Sequence, residues 1–113
     1  MIREKHRYLL VEYNNEMPQD KTAFSKALHR EIMSCFGQLH YFKGSFRIME
    51  FPSGNFFIIR SSLNEYENLI RALALIKKLE GNDAAFYTLR SSGTIKALKQ
   101  YLDKMQNDAE GAE

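Results

Sequence analysis

The sequence predicts a mixed α+β (α/β) domain, because four β-rich runs and two amphipathic stretches follow as strand, helix, strand, strand, helix, strand, with a third helix behind them. Two observations carry this reading. Apolar residues switch between alternation and intervals of three and four, and the switches coincide with Gly, Pro, Asn or Asp. At 113 residues the chain is long enough for one core, burying roughly 60 to 70% of its unfolded surface, and too short for two.

Taken in order, residues Lys5 to Tyr13 are aromatic and branched and are bounded by Asn14, Asn15, Pro18 and Asp20, which predicts the first strand. From Lys21 to Phe36, Phe24, Leu28, Ile32, Cys35 and Phe36 recur at helical spacing, with Asp20 as cap and Gly37 as stop. Ser45 to Phe51 and Asn55 to Arg60 flank Pro52-Ser53-Gly54 and read as a hairpin. Ser62-Leu63-Asn64-Glu65 has the spacing of a capping box. The helix it opens carries Tyr66, Leu69, Ile70, Leu73 and Ile76, with Gly81 to close it. Ala84 to Arg90 form the fourth strand, and Ile95, Leu98, Leu102 and Met105 mark the last helix.

This order is the split βαβ, ferredoxin-like and RRM-like, plan: a four-stranded antiparallel sheet with two helices on one face plus a C-terminal helix. Residues 1–105 form the single domain, and 106–113 are expected to be an acidic, disordered tail. The first strand is apolar on both sides, with Leu9, Val11 and Tyr13 on one and Tyr8 and Leu10 on the other. Phe56-Phe57-Ile58-Ile59 repeats the pattern. A second face this apolar needs cover, which the last helix and a protein partner would supply. An open platform of base-stacking aromatics is the other arrangement, although the glycine and aromatic pattern of such strands is missing.

The composition, 44% hydrophobic and 27% charged, is that of a soluble globular protein, and no apolar run approaches the roughly 20 residues of a membrane span. The basic start, Met1 to Arg7, lacks the apolar core of a signal peptide, so a cytoplasmic location and no membrane partner are expected. The formal charge of +2 is unevenly spread. The last eight residues hold Asp108, Glu110 and Glu113 and no cation, which leaves sixteen basic against eleven acidic residues elsewhere. Such an excess suits an anionic partner.

Catalytic and metal chemistry find little support. His6, His29 and His40 fall on a strand, a helix and a loop with no metal-ligand spacing, and the lone Cys35 reads as a core residue. There is no phosphate loop of the Walker type and no nucleophile elbow. The glycine-bracketed loop of acylphosphatase, a small enzyme on this plan, is also missing. No catalytic residue, metal site or cofactor is therefore assigned to this chain.

Two segments suit an anion. Ser91-Ser92-Gly93-Thr94-Ile95-Lys96 lies where the last helix begins, so unpaired backbone N–H groups, the positive helix end, the hydroxyls, Lys96 and Lys99 could bind phosphate. The same Ser92 and Thr94 could equally cap the helix, and local pattern leaves both open. Arg3, Lys5 and Arg7 share one side of an extended segment and, with Arg47, Arg60 and Arg90 near strand ends, could track a phosphate backbone. Solvated surface charge is the alternative.

Three stretches resemble the ribonuclease P protein component 2 family. They are Arg3-Glu4-Lys5-His6-Arg7-Tyr8-Leu9-Leu10-Val11-Glu12, then Gly54 with Ile58-Ile59-Arg60 and the helix bearing Tyr66, Ala72, Leu73 and Ile76, and finally Ser92-Gly93-Thr94-Ile95-Lys96. They occur in the family's order and span Arg3 to Lys99. Ser61 stands where the family often has cysteine, and the short acidic tail is similar to archaeal-type members. The resemblance implies a non-catalytic subunit of the ribonucleoprotein endonuclease that removes the 5′ leader from precursor tRNA. It further implies that the RNA subunit holds the active site with magnesium and that protein component 3 is the pairing partner, with a homodimer or a heterotetramer both left open. On this reading Lys5, Arg7, Arg60, Arg90, Ser92, Gly93, Thr94, Lys96 and Lys99 contact RNA. The rival is a ferredoxin-like interaction or ligand-sensing module that never meets RNA.

Overall fold

A computed structural model describes the backbone of residues 5–39 and 46–111, and the side chains of residues 5–35 and 46–108. Arg3, His40, Ser45, Glu113 and the side chains of Phe36 and Glu110 lie outside the described residues. The chain runs β1 (His6–Tyr13), α1 (Lys21–Leu39), β2 (Phe46–Glu50), β3 (Phe56–Ser62), α2 (Tyr66–Leu75), β4 (Lys78–Leu79), β5 (Asn82–Asp83), β6 (Phe86–Ser92) and α3 (Ile95–Gly111). The main sheet has the order β2-β3-β1-β6 with every neighbouring pair antiparallel, which is the ferredoxin-like order expected from the sequence.

The alternation of apolar residues decides which layer each strand residue joins. Leu9, Val11 and Tyr13 of β1, Phe57 and Ile59 of β3 and Phe86 of β6 meet Phe24, Leu28 and Ile32 of α1 and Leu69 and Leu73 of α2. Aromatic rings fill the centre of this layer: Tyr13 stacks on Phe86 at 5.0 Å, and Phe24 meets Phe57 edge-on at 5.7 Å. The opposite side chains, Leu10 and Ile58, lie against Leu98 and Leu102 of α3, with Tyr8, Phe56, Leu89, Ile95 and Met105 around them. Leu10 and Ile58 are fully buried, so α3 covers the centre of the second face, the part the sequence assigned to it, and the sheet centre is no open platform for stacking bases.

Asp20 caps α1 as expected, its Oδ1 accepting from the Ala23 N–H at 3.0 Å. Other boundaries differ from the sequence reading. Helix α1 continues past Gly37 to Leu39, since one glycine costs a helix only about 1 kcal/mol and does not force a stop. The capping box is not made: Ser62 ends β3 with its hydroxyl buried and without a partner, and Glu65 is the N-cap residue with no side-chain cap bond. Strand pairing with His6 claims Ser62 before the helix can. Helix α2 ends at Leu75, well before Gly81, because residues 78–83 form a small hairpin. Glu80 and Gly81 are its central residues, with φ of 51° and 83°, the left-handed pair that tight hairpins need. The last main strand starts at Phe86 and takes in Ser91 and Ser92. Residues 106–111, expected as tail, continue α3, whose Gln106 Nε2 donates to Ser53 Oγ at 3.0 Å.

Candidate nucleic-acid interface

The sheet gathers basic residues at the end where β1 begins and β3 and β6 end. Register places Arg47, Arg60, Tyr8 and Ser92 side by side across all four strands, on the face that carries α3. Arg47 and Arg60 are direct cross-strand partners. Like charges so placed repel, so the pair gains from an anion lying between or above them.

Next to that row, between the ends of β1 and β6 and the first turns of α3, is a cleft of about 710 Å³. Arg7, Arg90, Ser92 and Gly93 line it together with Tyr101 and Lys104. Arg7 is half-buried, and its Nη2 donates to Ser91 Oγ at 3.4 Å while the guanidinium lies 5.6 Å from the Tyr66 ring. Its Nε is shielded from solvent and has no partner. Arg90 stacks over Tyr101 with its guanidinium carbon 4.7 Å from the ring centre. A bulge makes this contact. Leu10 pairs with Arg90 and Val11 with Thr88, so Leu89 is the extra residue, and Leu89 and Arg90 both reach α3.

At the start of α3 the two hydroxyls act locally as caps. Ser92 Oγ accepts from the Thr94 N–H at 3.3 Å, and Thr94 Oγ1 accepts from the Ala97 N–H at 3.2 Å. Each hydroxyl proton stays available to a phosphate oxygen, so capping and anion binding are compatible. Lys96 is exposed in the first helical turn, which contains no acidic residue. A cation there opposes the helix dipole, so it contributes nothing to the helix and suits an external anion.

The remaining sequence candidates spread around this centre. Lys5 is exposed before β1, its carbonyl accepting from the Leu63 N–H at 3.0 Å. Lys99 points elsewhere: its Nζ is 2.6 Å from Glu50 Oε2, an exposed ion pair that ties α3 to β2. The cleft also holds Ser91, from the segment the sequence singled out, and Gln100, Tyr101, Lys104 and Asp108, which sequence reasoning passed over as contacts. Residues 100, 101, 104 and 108 repeat at helical spacing, a polar stripe beside the apolar one on α3, and that repeat was the available signal. His6 and His29 are far apart in role: the first sits opposite Ser62 in the sheet, the second stacks on Phe46 at 4.6 Å. Among the described residues no cluster of three or more His, Cys, Asp or Glu could hold a metal ion.

Comparison with known proteins places the chain in a family. The sequence profile of the Rpp14/Pop5 family matches residues 7–103. Ribonuclease P protein component 2 of Thermococcus gammatolerans is 35% identical over 100 residues, covering 88% of this chain and 83% of that protein. The protein of the same name from Thermococcus kodakarensis is 30% identical over the same shares. A probable ribonuclease P/MRP protein subunit of Dictyostelium discoideum is 32% identical, over 85% of this chain and 61% of that one. A chain in the cryo-EM structure of yeast ribonuclease MRP superposes with a TM-score of 0.57 at 9% identity, covering 99% of this chain and 96% of that one, and so shares its fold. A profile match over most of the chain, from β1 into α3, together with these relatives, shows that the chain belongs to the Rpp14/Pop5 family.

Proposed function

We propose that this chain is a protein subunit of ribonuclease P, which helps a catalytic RNA remove the 5′ leader from precursor tRNA. Family membership over residues 7–103 carries the proposal, and the cationic end of the sheet supplies its physical basis. Arg7, Arg60, Arg90 and Lys96 bring positive charge to one end of the molecule, where Ser92, Gly93 and Thr94 offer hydroxyl and backbone donors. A folded RNA presents phosphates at that scale, and each one neutralised releases counterions. Lys5 extends the same surface, whereas Lys99 joins it only by giving up Glu50.

In this role the chain binds and stabilises RNA without cleaving it, and magnesium belongs to the RNA subunit. Its protein partner is protein component 3, in a heterotetramer or around a dimer of this chain, and the complex works in the cytoplasm. The test is reconstitution of precursor tRNA cleavage from the RNA and protein subunits with and without this chain. Omission should lower activity most at low magnesium, and equal activity in both mixtures would refute the role. Replacing Arg90 and Lys96 by alanine should reduce the salt slope of RNA binding by about one unit per lost phosphate contact.

A further inference from the structure

At the sheet edge opposite the cationic cleft, β2 and α1 enclose a second groove, of about 750 Å³. Its origin is a gap in the helical layer. Helix α1 leans on α2, and the edge strand β2 receives incomplete cover, so that Ile48 and Phe51 face the helical layer yet are only half-buried. The accessible apolar surface of the groove comes from the half-buried Ile48 and Phe51, over a base of fully buried Leu28, Ile32 and Ile59. Met33 stands at its lip and is 40% exposed. Around the groove are Lys21, Lys26 and Arg30, together with Arg47, which also belongs to the cationic row, and among the described residues no carboxylate lines it.

We propose that this groove is a protein-docking surface, occupied in the assembled particle by an amphipathic segment of another subunit that inserts apolar side chains and carries carboxylates toward the basic rim. The charge pattern selects the occupant. An apolar centre ringed by charge is the layout of a protein interface, and Lys21, Lys26 and Arg30, with no carboxylate among the described residues lining the groove, call for an acidic segment. RNA fits the groove poorly. Phe51 is packed against Phe24 and Phe57 with Lys21 over it, and His29 is stacked on Phe46, so the aromatic rings are already engaged instead of offered to bases. The cations also stand around partly exposed apolar side chains, Met33, Ile48 and Phe51, which a phosphate chain would leave in water. Met33 suits a contact of this kind, because its flexible thioether adapts to an incoming side chain.

The proposal rests on the reading that the chain works inside a multi-subunit ribonucleoprotein, and the experiment separates the two. Met33 is replaced by the photo-crosslinker p-benzoylphenylalanine in the full chain, the complete particle is reconstituted and irradiated, and the adduct is mapped by mass spectrometry. The expected product joins position 33 to an acidic segment of a different protein subunit. An adduct to RNA, an adduct to a second copy of this chain, or no adduct in an active particle would overturn the groove proposal. In parallel, Lys26→Glu combined with Arg30→Glu should weaken retention of that subunit on the order of tenfold and leave RNA binding by the isolated chain at the level of Lys96-intact protein. Unchanged retention also overturns it. Loss of RNA binding on Arg90→Ala or its persistence bears only on the function proposed above.

Discussion

Arg90 combines two roles that substitution can separate. Its guanidinium lies over the Tyr101 ring, 4.7 Å from the centre, which holds the charge beside the cleft. Arg90→Lys keeps the charge and loses the guanidinium over the ring, so it should weaken RNA binding less than Arg90→Ala, with a stability change below about 1 kcal/mol for this exposed pair. Equal binding by all three forms, measured in a salt series, would remove Arg90 from the interface. Thr94 is separable in another way. Its Oγ1 caps α3, so Thr94→Ala should cost about 1 kcal/mol in urea unfolding, whereas Thr94→Ser keeps the cap. If Thr94 also donates to phosphate, the serine variant should bind RNA like the parent. Cys35 is half-buried against the helical layer, and burial, helped by Glu31, pushes its thiol pKa up. The folded state therefore holds the proton longer than the unfolded chain does, and stability is to fall as pH rises above the ordinary thiol range. Alkylation of Cys35 should accordingly run slower in the native protein than in urea at the same pH.

At the scale of elements, α3 and the small hairpin show how local signals fare. The Ile95, Leu98, Leu102 and Met105 spacing was legible because a helix needs one apolar face wherever it packs, and Leu98 and Leu102 do fill the space over Leu10 and Ile58. Leu102→Ala should cost 2–5 kcal/mol, since the buried side chain leaves a cavity that the sheet cannot close, and a thermal melt would register the loss. The capping box at Ser62 was misleading for an equally physical reason. A serine can end a strand or start a helix, and pairing of β1 with β3 extends far enough to take Ser62. Gly81 was read as a helix stop because both a helix end and a tight hairpin need a left-handed residue. Gly81→Ala meets no atom within 4 Å but must hold φ near 83°, so it should destabilise by roughly 1–2 kcal/mol through backbone strain alone.

Across the whole molecule, two hydrophobic layers share the same strands, Leu9 and Val11 facing one and Leu10 the other. Neither layer can melt while the other stays, so helix and tyrosine signals should report one coincident transition on heating. Separate transitions would mean that α3 opens independently. Charge is arranged on the same plan, with the cationic cleft at the β6 edge and the basic-rimmed groove at the β2 edge. The two sites meet at Arg47, which stands in the cationic row beside Arg60 and also lines the groove.

The sequence by itself determined the order of the three helices and four main-sheet strands, the two-sided sheet and the identity of most cationic candidates. Periodicity and charge are written one residue at a time, so these features survive without coordinates. The assembly of the site was a matter for the tertiary structure. Only strand register sets Arg47 beside Arg60, only the bulge at Leu89 brings Arg90 to Tyr101, and only the path of α3 gives Lys99 to Glu50. The incomplete cover of β2 likewise depends on how α1 leans, because contacts between residues distant in the chain are fixed by packing and not by any local pattern.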